Sequence, residues 1–276
     1  MTQSTTTALT TPLQLGDSGT AITILQQRLA NAGYPITIDG DFGPATEKAV
    51  MQLQLQNFLV IDGIAGPKTQ AVLLDQDTSR LLSHRDLKEA AIELDVAVAA
   101  VRAVNSVESR GNGFLDDGRP VILFERHIMR RRLIKNGHPA AKLQQQYPKL
   151  IDSQAGGYQS GSGEHYRLNM AISIDQTSAL ESCSWGLFQI MGYHWKALGY
   201  DSVNRFVALM HEHERHQLNA FVRFIKADPK LHAALRDGQW TTFAKRYNGP
   251  GYRKNHYHSK LAAAFDRYSQ LQELAA

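Results

Sequence analysis

Glu108 is the residue in this chain whose type is most at odds with its position. Helical spacing puts Ala97, Val101, Val104 and Glu108 on one face, at i, i+4, i+7 and i+11. Three are apolar, and the fourth stands where the pattern asks for another core residue. Asp95 reads as the N-cap of this helix, and Arg110-Gly111-Asn112-Gly113 breaks it just past the carboxylate. A carboxyl so placed has its pKa lifted by burial and is suited to donate a proton as a general acid. The alternative is a Glu in a fraying last turn, solvated or paired with Arg110.

Other candidate chemistry is spread along the chain. Ser184-Trp185-Gly186-Leu187-Phe188-Gln189-Ile190-Met191 is an apolar run with one amide, Gln189, that must find a partner or a ligand. Tyr247-Asn248-Gly249-Pro250-Gly251-Tyr252 reads as a turn-rich loop bearing aromatic and amide groups. Glu125 is embedded in the apolar stretch 120–127, read as a short strand or a helix start. It follows Glu108 by 17 residues, past a turn at Gly118. It either faces Glu108 across a cleft or forms a salt bridge with Arg126 or Arg119 that shapes the fold. Asp116 and Asp117 are weaker candidates. His211-Glu212-His213-Glu214-Arg215-His216 suggests a zinc site, but the two-His helix motif fails by one residue, since Arg215 and Gln217 stand where the second His belongs. No metal is expected there, and Glu214 reads instead as part of a buried hydrogen-bond network. Trp185 is cleft lining or core.

Several function classes drop out. There is no Gly-x-Ser-x-Gly, phosphate-binding loop or dinucleotide fingerprint. Arg130-Arg131-Arg132 with Lys135 lacks interleaved aromatics and reads as a solvated helix face, so no nucleic-acid partner is expected. A net charge of +4 is compatible with an anionic polymer without naming one. Cys183 is the single cysteine, which rules out an intrachain disulfide and leaves a weak candidate nucleophile.

The elements that must position these groups are mainly helices. Residues 1–11 read as a disordered, Thr-rich lead without the marks of a signal peptide. Over 12–74 a motif repeats at an interval of 23 residues: Ile38-Asp39-Gly40-Asp41-Phe42-Gly43-Pro44-Ala45-Thr46, then Ile61-Asp62-Gly63-Ile64-Ala65-Gly66-Pro67-Lys68-Thr69. Each copy is an Asp-Gly turn, a Gly-Pro and a Thr opening a helix. Helices are predicted over 21–32, over 46–58 with Ala49, Val50, Leu53 and Phe58 inward, and after Pro67. Residues 75–84 form a short polar linker. From 85 to 276 the spacing predicts a larger helical domain, with helices over 86–94, 96–109, 166–180, 201–227, 231–235, 240–247 and 254–274. A Gly- and Ser-rich loop spans 151–163.

Two resemblances follow from these motifs. Gly16-Asp17-Ser18-Gly19, Leu25-Gln26, Gly33-Tyr34 and the two half-repeats resemble the small three-helix peptidoglycan-binding domain, over residues 12 to 74. That family has a Phe-Gln late in the second helix, where Leu53-Gln54 or Leu55-Gln56 stands here. The resemblance implies a groove for peptide stem or glycan. Asp39, Phe42 and Asp62 are its candidate ligand-facing positions; the alternative is that these turns only build the fold.

Val107-Glu108-Ser109, Gly113-Phe114-Leu115, Gly118-Arg119-Pro120, Ile122-Leu123-Phe124-Glu125-Arg126-His127, residues 184–192 and Tyr247-Asn248-Gly249-Pro250 resemble the N-acetylmuramidase domain of modular phage endolysins. This is a branch of the lysozyme-like superfamily that includes the lytic transglycosylases. The resemblance implies hydrolysis of the β-1,4 bond between N-acetylmuramic acid and N-acetylglucosamine, with Glu108 as acid and Glu125 as candidate second carboxylate. Ser184, Gln189, Tyr247 and Asn248 would hold sugar groups or orient water. It implies no metal or organic cofactor, a monomer without stable membrane association, and holin-dependent passage from the host cytoplasm to periplasmic peptidoglycan. Three alternatives stay open: a lytic transglycosylase needing only Glu108, a non-catalytic wall-binding phage protein, and a zinc peptidase.

Overall fold

A computed structural model of the chain describes residues 11–108 and 111–273; all but Thr11 of the lead, together with Ser109 and Arg110, lie outside them. The chain divides into two compact units, Met1–Glu89 and Ala90–Ala276. Among the described residues, no helix is long and apolar enough to cross a membrane.

The first unit holds α1 (Thr20–Asn31), α2 (Pro44–Gln56) and α3 (Pro67–Leu73), and the division falls inside α4 (His84–Leu94). Ile22, Leu25, Leu29, Val50, Leu53 and Ala65 form the core of the three-helix part. The sequence repeat is a structural repeat built on two buried glutamines. Gln26 Nε2 donates to Asp39 Oδ1 at 2.7 Å, Asp41 O at 3.0 Å and Thr46 Oγ1 at 3.1 Å. Its Oε1 accepts from the Asp39 and Gly40 amides at 3.1 and 2.9 Å. Gln54 repeats the pattern, donating to Asp62 Oδ1, Ile64 O and Thr69 Oγ1 at 2.7, 3.0 and 3.1 Å and accepting from Asp62 and Gly63 at 2.9 and 3.0 Å. A single amide thus satisfies both edges of each Asp-Gly turn and fixes it to the Thr that opens the next helix. Of the two Leu-Gln pairs, Leu53-Gln54 takes the repeat position, with Leu53 in the core.

Two apolar expectations change. Phe42 is 1% exposed and belongs to the core, so it presents no surface to a ligand. Phe58 is 80% exposed: α2 ends before it, and it takes a left-handed conformation (φ 57°) that lets Leu59 turn inward in its place. Asp39 and Asp62 each commit Oδ1 to the buried glutamine.

The second unit runs through α5 (Val98–Glu108), β1 (Ile122–Phe124), α6 (Arg126–Lys135), α7 (Ala140–Gln146), α8 (Ser162–Ile172), α9 (Gln176–Glu181), β2 (Cys183–Trp185) and β3 (Ile190–Met191). It continues with α10 (Val203–Glu212), α11 (Glu214–Ala227), α12 (Pro229–Arg236), α13 (Trp240–Asn248) and α14 (Tyr257–Glu273). α5 starts two residues later than the N-cap reading requires. Asp95 is instead a left-handed residue (φ 51°) closing α4, where Val96 N–H reaches back to Ala91 O at 3.0 Å. The helix also buries more than one stripe. Ala97 is exposed, whereas every residue from 99 to 105 is buried. Ala99 and Ala103 pack on Tyr268 of α14.

The predicted helices over 166–180 and 201–227 are each broken. Asp175 caps α9 through the Ser178 amide, and His213, extended (φ −159°, ψ 146°), ends α10 and caps α11. The sequence reading also lacked the three-stranded antiparallel sheet, order β1-β2-β3, in which Phe124 pairs with Cys183 and Trp185 with Ile190. Strands of two or three residues are too short for an alternation signal. The free edge of β1 is closed by side chains: Phe124 N–H donates to Glu164 Oε2 at 2.8 Å and Phe124 O accepts from Arg167 Nη1 at 3.0 Å. Glu164 and Arg167, both buried, also pair with each other at 2.9 Å.

The Gln54 network yields a direct test of the repeat. Gln54→Met keeps the volume but strands buried donors of Asp62 and Gly63, and is expected to cost the module about 2–4 kcal/mol. Urea unfolding followed in the binding module measures it; a loss below about 1 kcal/mol contradicts the assigned role.

Candidate active site

The last residue of α5 is Glu108, and the last of α13 is Asn248. The two helix ends meet: Asn248 Nδ2 donates to Glu108 Oε1 at 2.8 Å. Among the described residues this is the one hydrogen bond to the carboxylate, and Oε2 has none. Burial pushes the Glu108 carboxyl above its ordinary value, and the Asn248 bond, which favours the ionised form, pulls part of the way back. The negative end of the α5 dipole acts in the same direction as burial.

Tyr247 fixes Asn248. Its ring stacks on Phe243, with centroids 5.5 Å apart, and meets Phe221 and Phe224 edge-on. Its hydroxyl donates to Phe188 O at 2.8 Å. Burial, with the Glu108 charge second, raises that hydroxyl well above its usual range, so it stays a neutral donor. The geometry makes Tyr247 a support for Asn248 and a tie to the segment that carries Gln189.

Gln189 is the one exposed residue between Glu181 and Ile190. It closes the β2–β3 turn in a left-handed conformation (φ 50°), which a side chain other than glycine adopts at a cost of about 1–2 kcal/mol. Its amide is occupied. Oε1 accepts from Ser184 Oγ at 2.7 Å, and Nε2 donates to Gly186 O at 2.8 Å and Val121 O at 3.3 Å. Ser184 is buried and Trp185 is core, its indole bonded to Leu180 O at 3.1 Å.

Among the described residues, Glu125 shares no hydrogen bond with Glu108. It precedes α6, with Tyr158 Oη donating to Oε2 at 2.9 Å and to Oε1 at 3.2 Å. His127 Nδ1 lies 3.1 Å from Oε2 without hydrogen-bond alignment. Neither expected salt bridge forms. Arg119 binds Asp117, and Arg126 binds Gln154 O, Ala155 O and Asp152. The Gly- and Ser-rich loop, expected to line something, delivers Tyr158 to Glu125. Asp117 is held far below the ordinary carboxylate range by Arg119, which makes it no proton donor at neutral pH. Burial raises the Cys183 thiol well above its usual value, so it is no thiolate nucleophile. Tyr158 and Phe188 carry no sequence signal for their roles, because they act through a hydroxyl and a carbonyl set by the fold.

Comparison with known proteins gives the family of each unit. The N-acetylmuramidase family profile matches residues 97–269, and that of a putative peptidoglycan-binding domain matches residues 18–73. The fold is similar to the crystal structure of the Burkholderia AP3 phage endolysin, with 51% identity and a TM-score of 0.89 over 94% of this chain and 100% of that one. A shorter similarity, 50% identity over 62 residues, links 21% of the chain to the zinc D-Ala-D-Ala carboxypeptidase of Streptomyces albus G. The chain spans about a quarter (24%) of that protein's length. Since one match covers more than half of the chain and another nearly all of it, the chain belongs to the N-acetylmuramidase family of glycoside hydrolases, in the two-domain form of the phage endolysins.

Proposed function

We propose that the enzyme hydrolyses the β-1,4 bond between N-acetylmuramic acid and N-acetylglucosamine with Glu108 as general acid, releasing phage by host lysis. The observation that carries this reading is the half-buried Glu108 carboxyl, raised by desolvation, with one oxygen held by Asn248. Breaking the bond between the muramic acid C1 and the departing O4 requires a proton on that oxygen. A carboxyl raised by burial keeps its proton to higher pH than a free glutamate does, and Oε2 is the oxygen open to substrate. After transfer, the Asn248 amide stabilises the carboxylate that forms. That carboxylate can then take a proton from the incoming water.

Glu125 is the proposed second carboxylate, acting on water or on the oxocarbenium-like centre. Its support is chemical: it is held by the Tyr158 hydroxyl, and among the described residues no arginine pairs with it. Ser184 and Gln189 hold the cleft rim in shape beside the sugar, and Tyr247 and Asn248 orient the acid. Asp39 and Asp62 shape the wall-binding module, whose ligand is peptidoglycan. By its family the enzyme acts as a monomer without metal or organic cofactor. It reaches the periplasmic wall from the host cytoplasm after a holin permeabilises the membrane.

One rival is a transglycosylase, in which the muramoyl 6-hydroxyl replaces water and Glu108 alone suffices. Product masses separate the two: hydrolysis adds one water per cleavage, and 1,6-anhydro ends would overturn the proposal. Glu108→Gln is expected to lower kcat on purified peptidoglycan by about 10³-fold, and activity near wild type would remove Glu108 as the acid. Glu125→Gln is expected to lose at least about 10²-fold, with a smaller loss assigning it a structural role.

A stability measurement tests the burial argument separately. The raised Glu108 pKa means that its favourable contribution is full below the ordinary carboxylate value and is lost as pH rises through the raised one. Glu108→Gln should therefore melt above wild type at neutral pH and converge with it near about pH 4. Equal Tm values at both would contradict a desolvated carboxyl.

A further inference from the structure

Glu214 and Gln217 occupy one turn of α11 and are 0% and 1% exposed, so neither reaches substrate. Both point at backbone that borders the site. On one side, Gly113 N–H donates to Glu214 Oε1 at 2.7 Å, and Gln217 Nε2 donates to Gly113 O at 3.3 Å and to Met210 O at 3.0 Å. On the other, Leu187 N–H donates to Gln217 Oε1 at 2.7 Å. Gly113 lies five residues past Glu108, and Leu187 precedes Phe188, whose carbonyl holds Tyr247. Val121 closes the junction: its amide donates to Gly113 O at 2.9 Å, and its carbonyl accepts from Gly186 at 2.7 Å.

The packing leaves no slack. A Cβ on Gly113 would stand 2.1 Å from Gln217 Oε1, and one on Gly186, which is also left-handed at φ 67°, 2.4 Å from Gln217 Cδ. Two glycines are required because one buried amide fills the space against both segments. The break at His213 between α10 and α11 is what lets the first turn of α11 present Glu214 inward.

The geometry points to Glu214 and Gln217 as positioning residues for Glu108, acting through the backbone segments they tie together. One path runs from Glu214 to Gly113, whose carbonyl accepts from Gln217 Nε2 and Val121 N–H. The other runs through Leu187, Phe188 O, Tyr247 and Asn248 to Glu108 Oε1. The inference rests on Glu108 being the acid. A small displacement of an acid from the bond it protonates costs rate with little change in substrate affinity.

Steady-state hydrolysis of soluble peptidoglycan fragments by the full chain tests it. Gln217→Met, matched in volume, and Glu214→Ala are each expected to lower kcat by about tenfold or more while KM stays within about threefold. Glu214→Gln, which still accepts from Gly113, should stay within about threefold of wild type. Folded Gln217→Met with wild-type kcat, a loss confined to KM, or equal losses in Glu214→Gln and Glu214→Ala would overturn the inference. Where Gln217→Met does not fold, the Glu214 pair decides by the same criteria. Failure of the acid reading is separate, since it shows as an active Glu108→Gln enzyme.

Discussion

A half-buried carboxyl group in the last described turn of a largely buried helix is the constraint on which the catalytic unit depends. Burying an acid is unfavourable when it ionises, so the fold must keep the group dry and yet give its anion a partner. Asn248 meets the second need with a single neutral hydrogen bond, where an arginine would have held the proton off permanently. The aromatic packing of Tyr247, the β2–β3 turn and the α11 junction all serve to keep that amide and that carboxyl in register.

The wall-binding unit solves a simpler problem by the same means. Its two Asp-Gly turns have backbone donors that no strand or helix satisfies, and one buried glutamine per repeat satisfies them. Gln26, Gln54 and Gln217 are alike in this respect. Each is an amide, able to accept and donate at once, placed where two irregular backbone segments must be tied together. In all three cases polar burial buys a specific loop geometry that apolar packing alone would leave loose.

Sequence exposes these features unequally. Glu108 is legible because it interrupts an apolar helix, and the wall-binding repeat because its turn residues recur at a fixed interval. Gln189 stands out as an amide in an apolar run, and Glu214 as a charge left over from a failed metal motif. The errors share one cause: local propensity yields to tertiary demand. Asp95 suits an N-cap but ends the preceding helix, Phe58 suits a core position but faces outward, and His213 breaks a helix that its neighbours would continue. The sheet is too short to leave a pattern, and contacts such as Tyr158 to Glu125 join loops that no periodicity relates. What these residues touch depends on the fold.

In the proposed reaction the desolvated Glu108 carboxyl supplies the catalytic proton. The most direct test of this compares two titrations of the same enzyme: the Glu108 carboxyl followed by carbon NMR, and the alkaline limb of kcat/KM on soluble peptidoglycan fragments. A common midpoint above the ordinary glutamate value is expected, because activity is lost as Glu108 loses its proton. A Glu108 that titrates as an ordinary glutamate while activity persists well above that pH would contradict it.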